Sequence, residues 1–272
     1  ADVLHCRYTV DGSAGPADWP LFQLDGPGIW LWSLAHHVRA GGRLDRSSYE
    51  AGALVARYLV ALRDVPAHDA WEETPDVVHT STLLAILAGL RAADELGVLE
   101  AAGAAACREL EATVLAPVAR PWTKWPGMDA VDASLLWAVV PYGLVGTEQP
   151  AAEATIERIE RELVDPDGGV HRYRDDVYYG GGAWLLLTAS LARVRLRRAA
   201  PDDRELAAAA LGWIERQAGP HGELPEQVAT HALHPEQVDR WRARWGDSAC
   251  PLLWSHAAYL ALATELEAAA SR

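Results

Sequence analysis

The apolar residues of this chain recur with the period of an α-helix, and hardly any segment alternates for long between apolar and polar positions. This pattern predicts an all-α fold with nine helices of two kinds. Helices of the first kind are apolar on nearly every face, so we expect protein to surround them. They span residues 28–39, 80–91, 132–140, 182–194 and 251–264. Helices of the second kind are amphipathic and lie between the first, at about 46–63, 99–115, 150–163 and 203–217. Short extended segments at 4–10 and 170–173 are predicted to form small hairpins in the loops.

The apolar helices begin at residues 28, 80, 132, 182 and 251, so a pair of one buried and one surface helix repeats along the chain. Such a repeat predicts a closed or curved array of helical hairpins. The closed form is an (α/α)6 barrel, in which an outer ring of helices covers an inner ring. The first helix found is an inner one. We therefore expect a single (α/α)-barrel domain over 1–272 that lacks about three helices at its N-terminal side.

Charge and cysteine content narrow the class of protein. The 272 residues include 24 basic and 38 acidic side chains, a net charge of −14, which disfavours nucleic-acid binding. No apolar stretch is long enough for a membrane span, and the sequence does not begin with a signal peptide. Cys6, Cys107 and Cys250 are widely spaced and odd in number, so neither a disulfide framework nor a zinc cluster is expected. These features predict a cytoplasmic protein that uses no metal or cofactor and contacts no membrane.

Tryptophan is unusually frequent, with 12 Trp against 1 Phe, which reflects either compositional drift or stacking on sugar rings. Most of the Trp, Gly, Pro and paired carboxylates lie in the loops that precede the apolar helices. In a barrel these loops gather at one end, together with helix N-termini whose free N–H groups favour oxygen-rich ligands. The distribution therefore predicts a binding site at one mouth of the barrel.

Each polar motif in these loops also has an ordinary structural interpretation. Glu72 suits the first turn of a helix, where acids are favoured. Glu226 lies in a Pro-Glu-Gln tripeptide that recurs at 235–237. Arg172, Asp175 and Asp176 could form a group of ion pairs at the surface, which contributes little. Only the joint placement of these motifs on one set of loops favours a functional site.

Four segments, in this order along the chain, resemble the family 15 glycoside hydrolases, the glucoamylase-type enzymes. They are WEE followed by HTSTLLAILAGL, then RYRDDVYYGGGAWLLLTASLA, then GELPEQV, and finally PLLWSHAAYLALA. The segment FQLDGPG also resembles the loop that precedes an inner helix in that family. The family fold is an (α/α)6 barrel, which agrees with the fold predicted from the helical repeat.

The resemblance implies an inverting, exo-acting α-glucosidase that releases β-glucose from the non-reducing ends of α-glucosides. Its substrate, an α-glucan, an isomalto-oligosaccharide or trehalose, is left open. The resemblance also implies that Glu72 is the general acid and Glu226 the general base. The other residues that it implies bind the sugar or shape its pocket are Asp25, Trp71, Glu73, Arg172, Asp176, Trp184 and Trp254.

The implied chemistry requires two carboxyl groups in different protonation states. An inverting hydrolase needs a protonated carboxyl at the glycosidic oxygen and a carboxylate that activates a water on the opposite face, about 6.5–9.5 Å away. Glu72 and Glu226 come from different loops, which is compatible with such a separation. Glu72 then has to carry a proton, whereas Glu226 has to stay ionised.

The sequence departs from the family pattern before Asp25. It has no W-x-R-D motif there, which holds the terminal glucose in the family. The β-sandwich domain that is frequent in bacterial members is not found there either. The chain is then either a piece of a longer enzyme or a shortened protein that has lost hydrolysis. The alternatives to a hydrolase are a non-catalytic carbohydrate-binding or regulatory barrel and a barrel recruited to tailoring chemistry. Retention of both Glu72 and Glu226 favours hydrolysis. The sequence does not predict the oligomeric state.

Overall fold

The computed structural model describes residues 3–15, 22–116 and 118–270, and within them the fold is all-α, as predicted. The helices are α1 Asp25–Arg39, α2 Arg46–Leu62, α3 Thr80–Glu95, α4 Ala101–Val114, α5 Pro150–Glu162, α6 Leu185–Arg198, α7 Asp203–Arg216, α8 Pro235–Trp245 and α9 Leu253–Ala270. Two 3₁₀ helices span Ala133–Ala138 and Tyr178–Gly180, and strand β1 (Ala183–Trp184) pairs antiparallel with β2 (Gln227–Val228). None of the helices in this part of the chain has the length and apolar character needed to cross a membrane.

The chain forms two compact units. The first comprises Ala1–Pro117 with Thr123–Met128, and the second comprises Val118–Trp122 with Asp129–Arg272. In the first unit α3 packs against α1, α2 and α4. In the second unit α6 packs against α7, α9 and the 3₁₀ helix at 133–138. Helices α3 and α6 are therefore central to their respective units.

The predicted burial of the apolar helices is confirmed for α3 and α6, whose side chains are buried over most of their length. It is wrong for α1, in which Trp30 is exposed and only Asp25, Gly28, Leu31 and Ala35 are buried. It is also wrong for α9, in which only Ser255 and Leu262 are buried while Leu253 and Leu260 are exposed. The reason is that α9 contacts α6 and α7, which cover one side of a helix that is apolar on all sides. Periodicity cannot distinguish a covered apolar face from an uncovered one.

The predicted amphipathic helices are confirmed as α2, α4, α5 and α7, with both ends within two residues of the predicted ones. Local capping explains several of these ends. The Asp45 side chain accepts a hydrogen bond from the Ser48 N–H at the start of α2, at 2.8 Å. Gln149 caps α5 in the same way, and Pro150 occupies the first turn, where its missing N–H costs nothing.

The predictions for the segments 132–140 and 235–245 are wrong. The segment 132–140 forms a short 3₁₀ helix, Ala133–Ala138, in place of an α-helix, because Pro141 disfavours the helical conformation of the residue before it. Helix α8 lies within a segment expected to be a loop. The extended segments 4–10 and 170–173 form only isolated bridges, Tyr8 with Ala14 and Val170 with Val164.

Helices α1 and α3 approach each other so closely that glycine is required at their contact. A Cβ atom built on Gly89 would lie 2.6 Å from the carbonyl oxygen of Gly28. A Cβ on Gly28 would lie 2.4 Å from the carbonyl oxygen of Ala85. Both neighbours are backbone atoms, which cannot move without displacing a helix. The contact between the two helices therefore depends on the absence of side chains here.

We expect Gly89→Ala to lower the free energy of unfolding by about 1–3 kcal/mol, because the added methyl group overpacks a helix contact. Gly52→Ala in α2 is the matched control, since a Cβ there lies 3.6 Å from Val98, an ordinary contact. The control should keep or raise stability by up to about 1 kcal/mol, because alanine favours the helix. Chemical denaturation followed by circular dichroism measures both. Equal stability of the two variants would contradict the close-contact interpretation.

Candidate active site

The predicted acid, Glu72, lies on a tight turn between α2 and α3 that is organised by Asp69. The Oδ1 atom of this buried aspartate accepts hydrogen bonds from the backbone N–H groups of Trp71 and Glu73, both at 3.0 Å. The Asp69 carbonyl accepts a third bond from the Glu72 N–H at 2.9 Å. The turn holds Glu72 at φ +63°, in the left-handed region that non-glycine residues rarely occupy. Asp69, which the sequence did not single out, thus sets the backbone of the predicted acid.

A buried lysine lies behind this turn. The Lys124 ammonium nitrogen is 3.5 Å from Asp69 Oδ2 and 3.6 Å from Glu73 Oε2, and the Lys124 side chain is only 4% exposed. His79 Nδ1 lies 3.6 Å from the same Asp69 oxygen, while its Nε2 bonds the Thr74 carbonyl at 2.9 Å. Lys124 therefore supplies positive charge to two carboxylates of the turn, one of them the predicted sugar-binding Glu73.

Asp25, in the first turn of α1, belongs to the same cluster of acids. The pKa of Asp25 is raised to about 6, chiefly by burial and also by the carboxylates of Asp69 and Glu72, while nearby backbone N–H groups act in the opposite direction. Its Oδ1 atom has no hydrogen-bond partner among the residues that the structure describes. The first unit thus brings together four of the predicted site residues, Asp25, Trp71, Glu72 and Glu73, around Asp69.

In the second unit the predicted base, Glu226, directly precedes β2. Its N–H donates to the Ala249 carbonyl at 2.8 Å. Burial raises the pKa of its carboxyl group, while hydrogen bonding from Tyr178 and Gln227 and the charge of Arg172 act in the opposite direction. Within the described part of the chain, its Oε2 atom is buried and has no hydrogen-bond partner. That oxygen can therefore accept a hydrogen bond from a reacting water.

The interpretation of Arg172 and Asp176 as a surface ion pair is wrong, because both side chains are buried, at 2% and 0% exposed. The guanidinium binds the carboxylate in two places, with Nε to Oδ2 at 2.7 Å and Nη2 to Oδ1 at 2.5 Å. Asp176 Oδ1 also accepts from the Tyr178 N–H at 2.9 Å. The guanidinium carbon lies 5.1 Å from the centre of the Tyr178 ring and 5.2 Å from that of Trp184. These contacts hold the guanidinium in a defined orientation.

The two remaining predicted tryptophans differ in their surroundings. Trp184 in β1 is buried, and its ring centre lies 6.2 Å from that of Tyr178. Trp254 near the start of α9 is 42% exposed and contacts Trp137, with ring centres 5.5 Å apart. The second unit thus places Arg172, Asp176 and Trp184 in one cluster whose charges act on Glu226. Residues 3–15, 22–116 and 118–270 contain no group of three or more His, Cys, Asp or Glu side chains arranged to hold a metal ion.

The raised pKa of Asp25 has a consequence for stability. Below about pH 4 Asp25 is protonated in both the folded and the unfolded chain, whereas between pH 4 and 6 only the unfolded chain loses the proton. The contribution of Asp25 to the free energy of unfolding of the wild type therefore falls as the pH rises to about 6. We expect Asp25→Asn to gain about 2 kcal/mol relative to the wild type between pH 4 and pH 7. Urea denaturation at the two pH values measures it, and a difference independent of pH would contradict the raised pKa of the buried Asp25 carboxyl.

Comparison with known proteins finds related families and sequences. The model of the glycosyl hydrolases family 15 matches residues 5–217. An isomaltose glucohydrolase from Kribbella flavida is 44% identical over 272 residues, which cover 97% of this chain and 69% of that protein. An uncharacterized glycosyl hydrolase from Methanocaldococcus jannaschii is 26% identical over 88% of this chain and 41% of its own length.

Solved structures agree with these similarities. A wild-type glycosidase is 44% identical with a TM-score of 0.85, and the match covers 96% of this chain and 71% of the other. A glutamate-to-alanine variant of a glycosidase, in complex with glucose, is 42% identical with a TM-score of 0.86 and the same coverage. The glucoamylase of Hormoconis resinae is 17% identical, covers 95% of this chain and 55% of its own, and has a TM-score of 0.68, a likeness of fold. The predicted fold class, all-α of the (α/α)6-barrel type, is confirmed.

Proposed function

The chain belongs to glycosyl hydrolase family 15, and from this premise we propose that it is an inverting, exo-acting α-glucosidase that releases β-glucose from isomaltose and related α-glucosides. It is a glycoside hydrolase of the glucoamylase type. The choice of isomaltose follows the name of its Kribbella flavida relative. The proposal includes the two units acting as one catalytic domain, because Glu72 belongs to the first and Glu226 to the second.

The observation that carries the proposal is that the two predicted catalytic glutamates are each held among buried charged and aromatic groups. Glu72 lies on the turn that the buried Asp69 organises, with Asp25 among its charged neighbours. Burial raises the pKa of the Glu226 carboxyl group, while the hydroxyl of Tyr178 and the guanidinium of Arg172 act in the opposite direction. Two carboxyl groups on different loops are what a division into acid and base requires.

In the proposed reaction Glu72 donates its proton to the glycosidic oxygen as the bond from that oxygen to the anomeric carbon breaks. Glu226 takes a proton from a water, whose oxygen bonds to the anomeric carbon from the opposite face. The products are β-glucose and the shortened sugar or second glucose. Glu72 ends ionised and Glu226 protonated, and transfer of one proton through solvent restores both.

In this proposal the other site residues bind the sugar or position the groups that bind it. Glu73, held by Lys124, accepts hydrogen bonds from sugar hydroxyls. Arg172 donates to the first glucose, and its buried partner Asp176 is a positioning residue that orients the guanidinium. The rings of Trp71, Trp184 and Trp254 shape the pocket. The glycosidase relative whose structure contains glucose supports a sugar as the ligand.

We also propose that the protein works in a reducing compartment such as the cytoplasm. Its three cysteines, Cys6, Cys107 and Cys250, are all free. Burial raises the pKa of the Cys107 thiol to about 11, which keeps this thiol protonated and unreactive. Free thiols are typical of proteins from reducing compartments.

We expect Glu72→Gln and Glu226→Gln each to lower kcat/KM for isomaltose by about 10²–10⁴-fold, because each removes one proton transfer. Two exposed acids serve as matched controls. Glu236 lies in a second Pro-Glu-Gln tripeptide with the same sequence as that of Glu226, and Asp76 lies in the loop of Glu72. Glu236→Gln and Asp76→Asn should keep wild-type kcat/KM. Initial rates of glucose release measure all four variants.

Wild-type rates in Glu226→Gln would remove this residue from the role of base. Isomaltose binding seen by calorimetry, without glucose release by the wild-type chain, would contradict hydrolysis and favour a non-catalytic carbohydrate-binding protein. A chain that neither binds nor hydrolyses any of isomaltose, maltose and trehalose would favour a barrel recruited to another reaction.

A further inference from the structure

Helix α8 is fastened at both of its ends to the 3₁₀ helix at 178–180. Just before α8, the His234 N–H donates to the Gly180 carbonyl at 2.8 Å. Just after it, the Gly246 carbonyl accepts a hydrogen bond from the Tyr179 hydroxyl at 2.9 Å. No residue of α8 is fully buried, so these contacts and a few side chains hold the helix in place. Its position is therefore coupled to that of the 3₁₀ helix.

The middle of α8 also touches the backbone of this 3₁₀ helix. Gly180 has φ +80°, and a Cβ atom built on it would lie 2.5 Å from Val238 Cγ2. The neighbouring residue Tyr179 is buried at φ +47°, a left-handed conformation that costs free energy for a side chain of this size. Close packing of α8 against this segment offsets the free-energy cost of its left-handed backbone.

Trp241 of α8 completes an aromatic enclosure around Tyr178. Its ring centre lies 5.0 Å from that of Tyr178 at an interplanar angle of 73°, and 5.6 Å from that of Tyr179. The Tyr178 ring also faces Trp184 at 6.2 Å and the Arg172 guanidinium at 5.1 Å. Edge-to-face and cation–π contacts of this kind favour one orientation of the enclosed ring.

The orientation of Tyr178 matters because its hydroxyl faces the candidate base. Burial raises the pKa of Tyr178, and the carboxylate of Glu226 raises it further. A protonated phenol beside a carboxylate acts as a hydrogen-bond donor and favours the ionised carboxylate. Trp241, Tyr178 and Glu226 thus form a continuous series of contacts from a surface helix to the site.

We propose that Trp241 is a positioning residue for the general base, which holds the Tyr178 ring so that its hydroxyl faces the Glu226 carboxylate. The catalytic part of this inference rests on the proposed function. Of the residues of α8, Trp241 thereby acts on the reacting groups through Tyr178.

The direction of the expected effect follows from the groups around Glu226. Besides Tyr178, these are Arg172 and Gln227, which favour the carboxylate, and Asp176, which disfavours it. Burial raises the pKa of Tyr179, and the carboxylate of Glu226 raises it further. Removal of the Trp241 ring leaves Arg172, Gln227 and Asp176 in place and loosens Tyr178, the donor to Glu226, while the Tyr179 hydroxyl keeps its hydrogen bond to the Gly246 carbonyl. The carboxylate then loses a donor, its protonation becomes easier, and the base is inactivated at a higher pH than in the wild type.

We expect Trp241→Leu to move the acid limb of the pH profile of kcat/KM for isomaltose to higher pH. On that limb kcat/KM should fall about 2- to 10-fold, the equivalent of one lost hydrogen bond, while the plateau changes less. Tyr178→Phe should give the same displacement, and the double variant should add nothing further. Trp241→Phe, which keeps a ring, should restore the wild-type profile.

Trp245→Leu is the matched control, because Trp245 lies on the same helix, is 59% exposed and has Arg244 over its ring. This variant should keep the wild-type profile. An acid limb that does not move in Trp241→Leu, or moves to lower pH because water enters, would overturn the proposal. Additive displacements in the double variant would overturn it as well.

A second readout separates this inference from the proposed function. Carbon-13 labelling of glutamate carboxyl groups, with the Glu226 resonance assigned by its loss in Glu226→Gln, gives the titration midpoint of Glu226 directly. The midpoint should rise in Trp241→Leu and stay unchanged in Trp245→Leu. If the wild-type chain releases no glucose, the proposed function fails, and this titration still decides whether Trp241 acts on Glu226.

Discussion

The buried pair of Arg172 and Asp176 is the interaction on which the second unit depends most. The two side chains are excluded from water, and removal of one partner from such a pair typically costs about 3–5 kcal/mol because a charge is left uncompensated. The pair also organises its surroundings. Asp176 binds the Tyr178 N–H, and the Arg172 carbonyl accepts from the Ala133 N–H at 2.8 Å. One ion pair thereby fixes the loop that carries Tyr178 and supplies the positive charge that acts on Glu226.

In the first unit the buried acids are compensated by a lysine instead of an arginine. Asp69 plays the structural part, since it accepts the backbone N–H groups of the turn, and Lys124 supplies the positive charge between Asp69 and Glu73. The cations differ in a way that suits their positions. Arginine binds a carboxylate through two parallel bonds and stacks on rings, whereas lysine is a compact point charge that can serve two carboxylates. In both units a buried cation makes a cluster of acids compatible with burial.

The helical period predicted most of the fold, because burial of one face in α2, α4, α5 and α7 leaves a direct trace in the sequence. It could not predict how much of α9 is covered, since an apolar helix has the same pattern whether one side or all sides are packed. Helix α8 was missed because only a few of its apolar side chains, such as Trp241 and Val238, make contacts, so the sequence shows no clear helical period there. Its ends nevertheless had a signal, with Pro235 at the first position and Gly246 just past the last.

The candidate site could be predicted from the sequence only where residue type and chemistry coincide, as for Glu72 and Glu226, and those assignments still rest on the family resemblance. Asp69 and Lys124 could not be found, because nothing in the local sequence shows which acid accepts backbone N–H groups or which lysine is buried. The central claim is that Glu72 and Glu226 together hydrolyse an α-glucoside with inversion. Proton NMR of isomaltose treated with the wild-type protein tests it most directly, because the anomers of glucose are distinguished before they equilibrate. The account predicts that β-glucose appears first, and first appearance of α-glucose would contradict it.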